Sequence, residues 1–267
     1  MNFLRAAKDW VAQRAHSPAV LLDDGGRLPP RLPWTAWGLA TTAFVCVYFW
    51  LFSFVHVHAD TTACQLRLDD PLYRIIPLNL WWDAITVWTY MYLTGTCVLV
   101  MIVQATLGDQ RPLVRFGTGL AIMGLIRGLC ILLVPLCRVN SEPGTATFTT
   151  TPLLDLGFTQ IPWRMWAKND MLFSGHVGEF ILLLRLTRSW PRPARLVLWV
   201  FSALQIFGLL STRGHYTVDI ILAFPCAYFA DRMAVKVLAL LARRPAPAVV
   251  EAPRAQASAA PPRRAAP

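Results

Sequence analysis

The chain has 267 residues, of which 55% are hydrophobic and 15% charged, against roughly 25% charged in an ordinary soluble domain. With a mean hydropathy of +0.46, this composition excludes the soluble and disordered classes and points to a lipid environment. The formal net charge of +10 does not make nucleic acid a partner. The basic residues sit between long apolar runs rather than on one face, and membrane topology accounts for them.

Residues 1–35 read as a cytoplasmic N-terminal segment. Phe3, Leu4, Ala7, Trp10 and Val11 recur at helical spacing among Arg5, Lys8 and Arg14, the pattern of a helix lying on a membrane surface. The stretch lacks the apolar core and small-residue cleavage site of a signal peptide. Gly25, Gly26, Pro29, Pro30 and Pro33 then break the chain. Six apolar runs follow, at 36–56, 82–105, 114–135, 171–187, 194–212 and 215–238. Each approaches the roughly 20 residues needed to cross a bilayer core. Unsatisfied backbone is costly in lipid, so the runs must be helices. The expectation is an all-α polytopic protein, with a six-helix membrane catalytic domain over 36–240. Trp34, Trp37, Trp81, Trp82, Trp190 and Trp199 lie near the run ends, where aromatic belts form. Residues 241–267 lack apolar periodicity and read as a disordered cytoplasmic tail.

Lys and Arg concentrate on one side of this topology: the N-terminal segment, Arg111, Arg115, the cluster Arg185, Arg188, Arg192, Arg195, and the C-terminal end. The positive-inside rule puts both termini in the cytoplasm. Arginine far outnumbers lysine and the tail is rich in Ala, Pro and Arg, as in a GC-rich bacterial genome, so a bacterial inner membrane is expected. Four of the six cysteines lie in apolar runs; Cys64 and Cys137 share the exoplasmic side, where a disulfide requires an oxidising compartment.

Two of the five histidines carry the chemistry. His176 opens the fourth run and His215 the sixth. The fifth run returns the chain to the level where the fourth began, so both fall at one membrane face. Asp219 lies four residues after His215, on the same helical face. A carboxylate there can hold the Nδ1 proton and leave Nε2 free to attack phosphorus. A helix N-terminus favours a neutral ring and attracts phosphate. His176 can serve as acid and then base. Ionisable groups at membrane depth are costly and mark functional sites.

The segments Asp170-x-x-x-Ser174-Gly175-His176 and His215-Tyr216-Thr217-x-Asp219 resemble the two signature motifs of the sphingomyelin synthase family, C-G-D-x-x-x-S-G-H-T and H-Y-T-x-D-V. That family is a branch of the type 2 phosphatidic acid phosphatase superfamily. The second segment, with Arg213 ahead of it, is also similar to the plant inositol phosphorylceramide synthases. The resemblance implies that His215 is the nucleophile, Asp219 its orienting partner, His176 the acid and base, and Asp170 an auxiliary acid. It implies transfer of a phospho-headgroup from a glycerophospholipid donor, through a phosphohistidine, to a lipid alcohol such as ceramide, or to water as in a phospholipase C. Neither metal nor cofactor is implied. Lys168 and Asn169 stand where the family has Cys and Gly, and Val177 replaces Thr; these departures bear on headgroup and acceptor.

A lipid phosphate phosphatase is the nearest alternative. Its motifs, K-x6-R-P and S-R-x5-H-x3-D, are incomplete here: Gly208 and Leu209 precede His215 where Ser-Arg is required, and Gln104 stands seven before Arg111. A different class, a non-catalytic lipid transporter or scramblase, would use the same polar groups to line a path. Arg127, Arg213 and Lys168 are candidate phosphate or headgroup contacts. Arg127 is alternatively a structural partner of Glu179, and Glu179 alternatively tunes His176, three residues before it. Tyr216 reads equally as a headgroup contact or a belt residue. Ser174 with Gly175 reads as a tight helix entry rather than a serine nucleophile. His56 and His58 lack the further ligands a metal site needs. A homo-oligomer is left open.

Overall fold

The computed structural model describes residues 28, 32–55, 58, 66, 68–79, 81–134, 136–137 and 172–242. Among them are six α-helices: α1 (Trp34–Trp50), α2 (Trp81–Thr106), α3 (Arg111–Leu133), α4 (Gly175–Leu186), α5 (Arg192–Ser211) and α6 (Thr217–Ala242). A π-helical stretch, Leu51–Val55, prolongs α1, and a 3-10 turn, Pro71–Arg74, precedes α2. No strand occurs among the described residues; an isolated parallel bridge joins Leu66 to Leu136. Most of the surface segment expected in residues 1–35 and nearly all of the tail 241–267 lie outside the described residues.

The six helices fall on the six apolar runs, but among the described residues four stretches are long and apolar enough to cross a membrane: Trp34–Val55, Trp88–Thr106, Arg111–Leu133 and Arg192–Ser211. These fit an integral membrane protein. The two others depart from the six-span expectation for different reasons. Helix α4 has 12 residues, about 18 Å of rise against a hydrocarbon core of about 30 Å. Helix α6 is 26 residues long, but Asp219, Asp231, Arg232 and Lys236 interrupt its apolar sequence.

Helix α3 packs against α1, α4 and α6, and α2 packs against α5. Close approach rests on small side chains, as it does where no hydrophobic force draws helices together. Ala223, Ala227, Ala230 and Ala234 form a fully buried stripe along α6. On α4, a Cβ added at Gly178 would come within 2.6 Å of Met123 Sδ on α3. Large apolar side chains face outward instead: Leu39, Val45, Phe49, Leu99, Val197, Trp199, Ile221 and Phe229 are all exposed, the inverse of a water-soluble surface.

Polar contacts fasten each end of the bundle. At one end Arg115 donates to both oxygens of Asp231, at 2.6 and 2.7 Å, and Arg185 adds a third bond at 2.5 Å. This buried cluster ties α3, α4 and α6 together. Arg115 and Arg185 therefore answer a carboxylate inside the bundle rather than standing as loop charges. At the same end Gln110 Oε1 accepts from Leu32 N and Trp37 Nε1. The starts of α4 and α6 meet at the opposite end, with the Leu66–Leu136 bridge and the 3-10 turn.

Candidate active site

Helix α4 is preceded by its N-cap, Ser174, which is fully buried and whose Oγ accepts from Val177 N at 3.4 Å. Phe173, just before it, has φ 36°, a left-handed conformation costly for a bulky side chain. Its carbonyl is held by Arg127 Nη1 of α3 at 3.0 Å. Gly175 makes that grip sterically feasible, because a Cβ there would collide with the Arg127 guanidinium. The entry that sets His176 thus depends on a cation from another helix.

The entry to α6 is built alike. Arg213 has φ 55°, and Gly214 N closes the end of α5 on Leu209 O at 2.8 Å. His215 follows, buried. Asp219, with no exposed side-chain surface, sits one turn on, and its Oδ2 lies 3.5 Å from His215 Nδ1. That separation is longer than a well-formed N–H···O bond. The same oxygen accepts Tyr216 N at 3.0 Å.

The structure brings together the histidines singled out in the sequence: the His176 and His215 rings lie 6.2 Å apart between centroids, inclined at 62°. Tyr90 of α2 presses edge-on against His176, with centroids 4.4 Å apart, and its hydroxyl donates to Glu179. Glu179 therefore sits beneath His176 through an aromatic intermediary. Arg127 serves the α4 entry through Phe173. The Arg213 guanidinium lies 5.3 Å above the Tyr73 ring, and its buried Nε has no hydrogen-bond partner among the described residues. Tyr216 is 1% exposed and its hydroxyl donates to Cys137 O at 3.0 Å. Asp170 and Lys168 lie outside the described residues. So does Cys64. Cys137 is disulfide-bonded, whereas Cys46, Cys97, Cys130 and Cys226 are free. No group of three His, Cys, Asp or Glu side chains among the described residues is placed to hold a metal ion.

Asp70 and Tyr73 carry no motif and were not among the sequence candidates. Asp70 accepts Thr217 N at 2.5 Å and Thr217 Oγ1 at 2.8 Å. Its carboxylate thereby occupies the α6 N-terminus that the sequence offered to phosphate. Tyr73 donates to His215 O at 2.6 Å. Burial, reinforced by the Asp70 and Asp219 carboxylates, pushes the Tyr73 phenol up from its ordinary pKa, so it stays a donor.

A helical bundle that gathers two imidazoles and a buried carboxylate at one end has the parts for nucleophilic attack and proton transfer at a phosphate ester. The comparisons agree with that chemistry. Residues 169–232 match the PAP2 superfamily C-terminal family model, a stretch containing His176, His215 and Asp219. Over 75 residues the chain is 33% identical to phosphatidylcholine:diacylglycerol cholinephosphotransferase 1 of Arabidopsis thaliana. That alignment spans 28% of this chain and 25% of the plant protein. Together these matches support the PAP2 superfamily and an enzyme acting on phospholipid phosphate esters, a lipid phosphotransferase or phosphatase.

Proposed function

We propose that the chain is an integral membrane headgroup phosphotransferase of the sphingomyelin synthase type. Its donor is a glycerophospholipid and its acceptor a lipid alcohol, ceramide or diacylglycerol; water is the acceptor in a slower phospholipase C-like reaction. The reading is carried by the pairing of the His176 and His215 rings 6.2 Å apart, with Asp219 beside only one of them. That asymmetry separates nucleophile from acid and base. His215 Nε2 attacks phosphorus, and the bond from phosphorus to the diacylglycerol oxygen breaks. Protonated His176 gives its proton to the departing alkoxide. Neutral His176 then takes the proton of the acceptor hydroxyl, whose oxygen attacks phosphorus and releases His215. Asp219 orients the Nδ1 side of the ring, and the 3.5 Å gap between them closes to a hydrogen bond as charge develops on His215.

Transfer is favoured over phosphatase action by the packing before His215. Gly208 abuts Thr86 of α2, and Leu209 is buried in the core. Neither supplies the Ser-Arg grip on a phosphate dianion. A diester monoanion needs fewer fixed cations, and Arg127 and Arg213 stand near the two helix entries. The name of the plant relative, which pairs a phosphatidylcholine with a diacylglycerol, supports a phospholipid donor and a lipid alcohol acceptor. In this reading all six helices cross the membrane, α4 as a short span inside the bundle. The termini are cytoplasmic and the site faces the exoplasmic leaflet of a bacterial inner membrane. The disulfide at Cys137, on the site's end, favours that oxidising side.

The test is reconstitution with labelled glycerophospholipids, with ceramide, diacylglycerol or neither, followed by product chromatography. Headgroup-labelled sphingolipid or exchanged glycerolipid is the expected product, and His215→Ala should abolish it. Phosphate release from phosphatidic acid, with diesters untouched, would make the protein a phosphatase. Undiminished lipid movement in His215→Ala, without chemical turnover in the parent, would make it a transporter.

A further inference from the structure

We propose that Asp70 and Tyr73, in the segment between α1 and α2, are positioning residues that seat His215 for reaction. The inference rests on the reading of His215 as nucleophile. His215 lies in the short non-helical link between α5 and α6. Up to Gly214 this link is held by hydrogen bonds back to α5: Thr212 N to Gly208 O, Arg213 N to Leu210 O and Gly214 N to Leu209 O. Beyond Gly214, side chains take over. Tyr73 Oη holds the carbonyl of His215, Asp219 Oδ2 holds Tyr216 N, and Asp70 holds Thr217 through its backbone N and its hydroxyl.

Asp70 acts on both sides of this contact. Its Oδ1 also accepts Leu72 N at 3.0 Å, capping the 3-10 turn that presents Tyr73. One buried carboxylate thus organises the turn and anchors it to the start of α6. Three donors converge on it, Leu72 N, Thr217 N and Thr217 Oγ1, one of them the N-terminal N–H of a 26-residue helix. The Arg213 cation stacked on Tyr73 completes the strap. Without it, the peptide carrying His215 is held only by its neighbours, Gly214 on Leu209 O and Tyr216 on Asp219 Oδ2 and Cys137 O, and the ring gains freedom to leave its distance to His176. Displacement of a reacting group by about 1 Å can cost about 100-fold in rate.

The experiment uses the full chain in nanodiscs of phosphatidylcholine with ceramide. Tyr73→Phe removes one hydrogen bond and keeps the ring; Asp70→Asn removes charge and keeps the shape. The expected result is a kcat lowered about 10- to 100-fold in each, with KM changed by less than about twofold and Tm unchanged in Tyr73→Phe. Combined with Asp219→Asn, the losses should be less than multiplicative, because all three act through one imidazole. A second readout needs no catalysis: the rate at which diethyl pyrocarbonate modifies His215, relative to His176, followed by mass spectrometry, should shift in Tyr73→Phe. Unchanged kcat and an unchanged modification ratio in Tyr73→Phe would overturn the proposal while leaving His215 as nucleophile. Loss confined to KM or to folded protein would overturn it equally. Activity surviving in His215→Ala would instead remove the nucleophile reading, with the modification ratio still reporting whether the strap seats the ring.

Discussion

His176 is half-buried and His215 almost fully covered, so the proposed reaction has its lipid phosphate enter from the side of His176. On the proposed mechanism, replacing His176 by Ala removes the proton donor for the leaving oxygen and should lower kcat roughly 100- to 10,000-fold. A donor whose leaving group needs no proton, such as a p-nitrophenyl phosphodiester, should restore much of the loss in a single-turnover assay. Gly175→Ala should act through Arg127. The new Cβ displaces the guanidinium from the Phe173 carbonyl, and kcat should fall at least about tenfold while the helical circular dichroism stays unchanged. The two histidines and Asp219 were legible in the sequence because helical spacing and chain parity are one-dimensional patterns. Tyr90, Asp70 and Tyr73 were not. They come from segments far away in the chain, and the bonds of Asp70 and Tyr73 to the His215 link end on backbone atoms or a hydroxyl, which leave no residue-type signature.

At the scale of the elements, α6 joins both ends of the bundle: Asp219 serves the site and Asp231 binds Arg115 and Arg185. Asp231→Asn leaves a buried guanidinium, Arg115, and a partly buried one, Arg185, facing a neutral amide. Breaking such a cluster costs about 3–5 kcal/mol, and a clear fall in Tm in detergent should register it. Kinetics at temperatures well below the transition should change little, since the cluster lies at the end away from the histidines. The apolar runs revealed where each helix lies to within a few residues, because burial against lipid or protein demands continuous apolar sequence. They did not reveal that α4 stops after 12 residues. A helix surrounded by other helices needs no full lipid-spanning length, and its sequence looks apolar for reasons of packing. Arg185 shows the complementary failure: a cation near a run's end reads as a topology signal until its carboxylate partner on another helix is seen.

For the molecule as a whole, the end bearing the histidines is closed by contacts between segments that lie far apart in sequence. Cys137 N donates to Leu66 O at 2.8 Å, Asn79 N donates to Ser211 O at 3.0 Å, and Tyr216 reaches Cys137 O. The disulfide at Cys137 reinforces this end, and its reduction should lower stability by roughly 2–4 kcal/mol, measurable as a lower Tm with a phosphine reductant. The same treatment should loosen the Tyr216 contact and reduce turnover, whereas blocking the free thiols Cys46 and Cys226 alone should not.

Twelve residues separate Asp219 from Asp231 on α6, which sets the reactive end about 18 Å along the axis from the ion cluster. On the proposed topology, a helix of that reach in an apolar slab about 30 Å deep assigns the histidines to one monolayer. In sealed vesicles with uniformly oriented protein, conversion should therefore stall at roughly half the donor lipid, since a bilayer divides its lipids between two leaflets. A scramblase or brief detergent permeabilisation should release the remainder, so the supply of substrate across the bilayer becomes a separate process that limits this reaction.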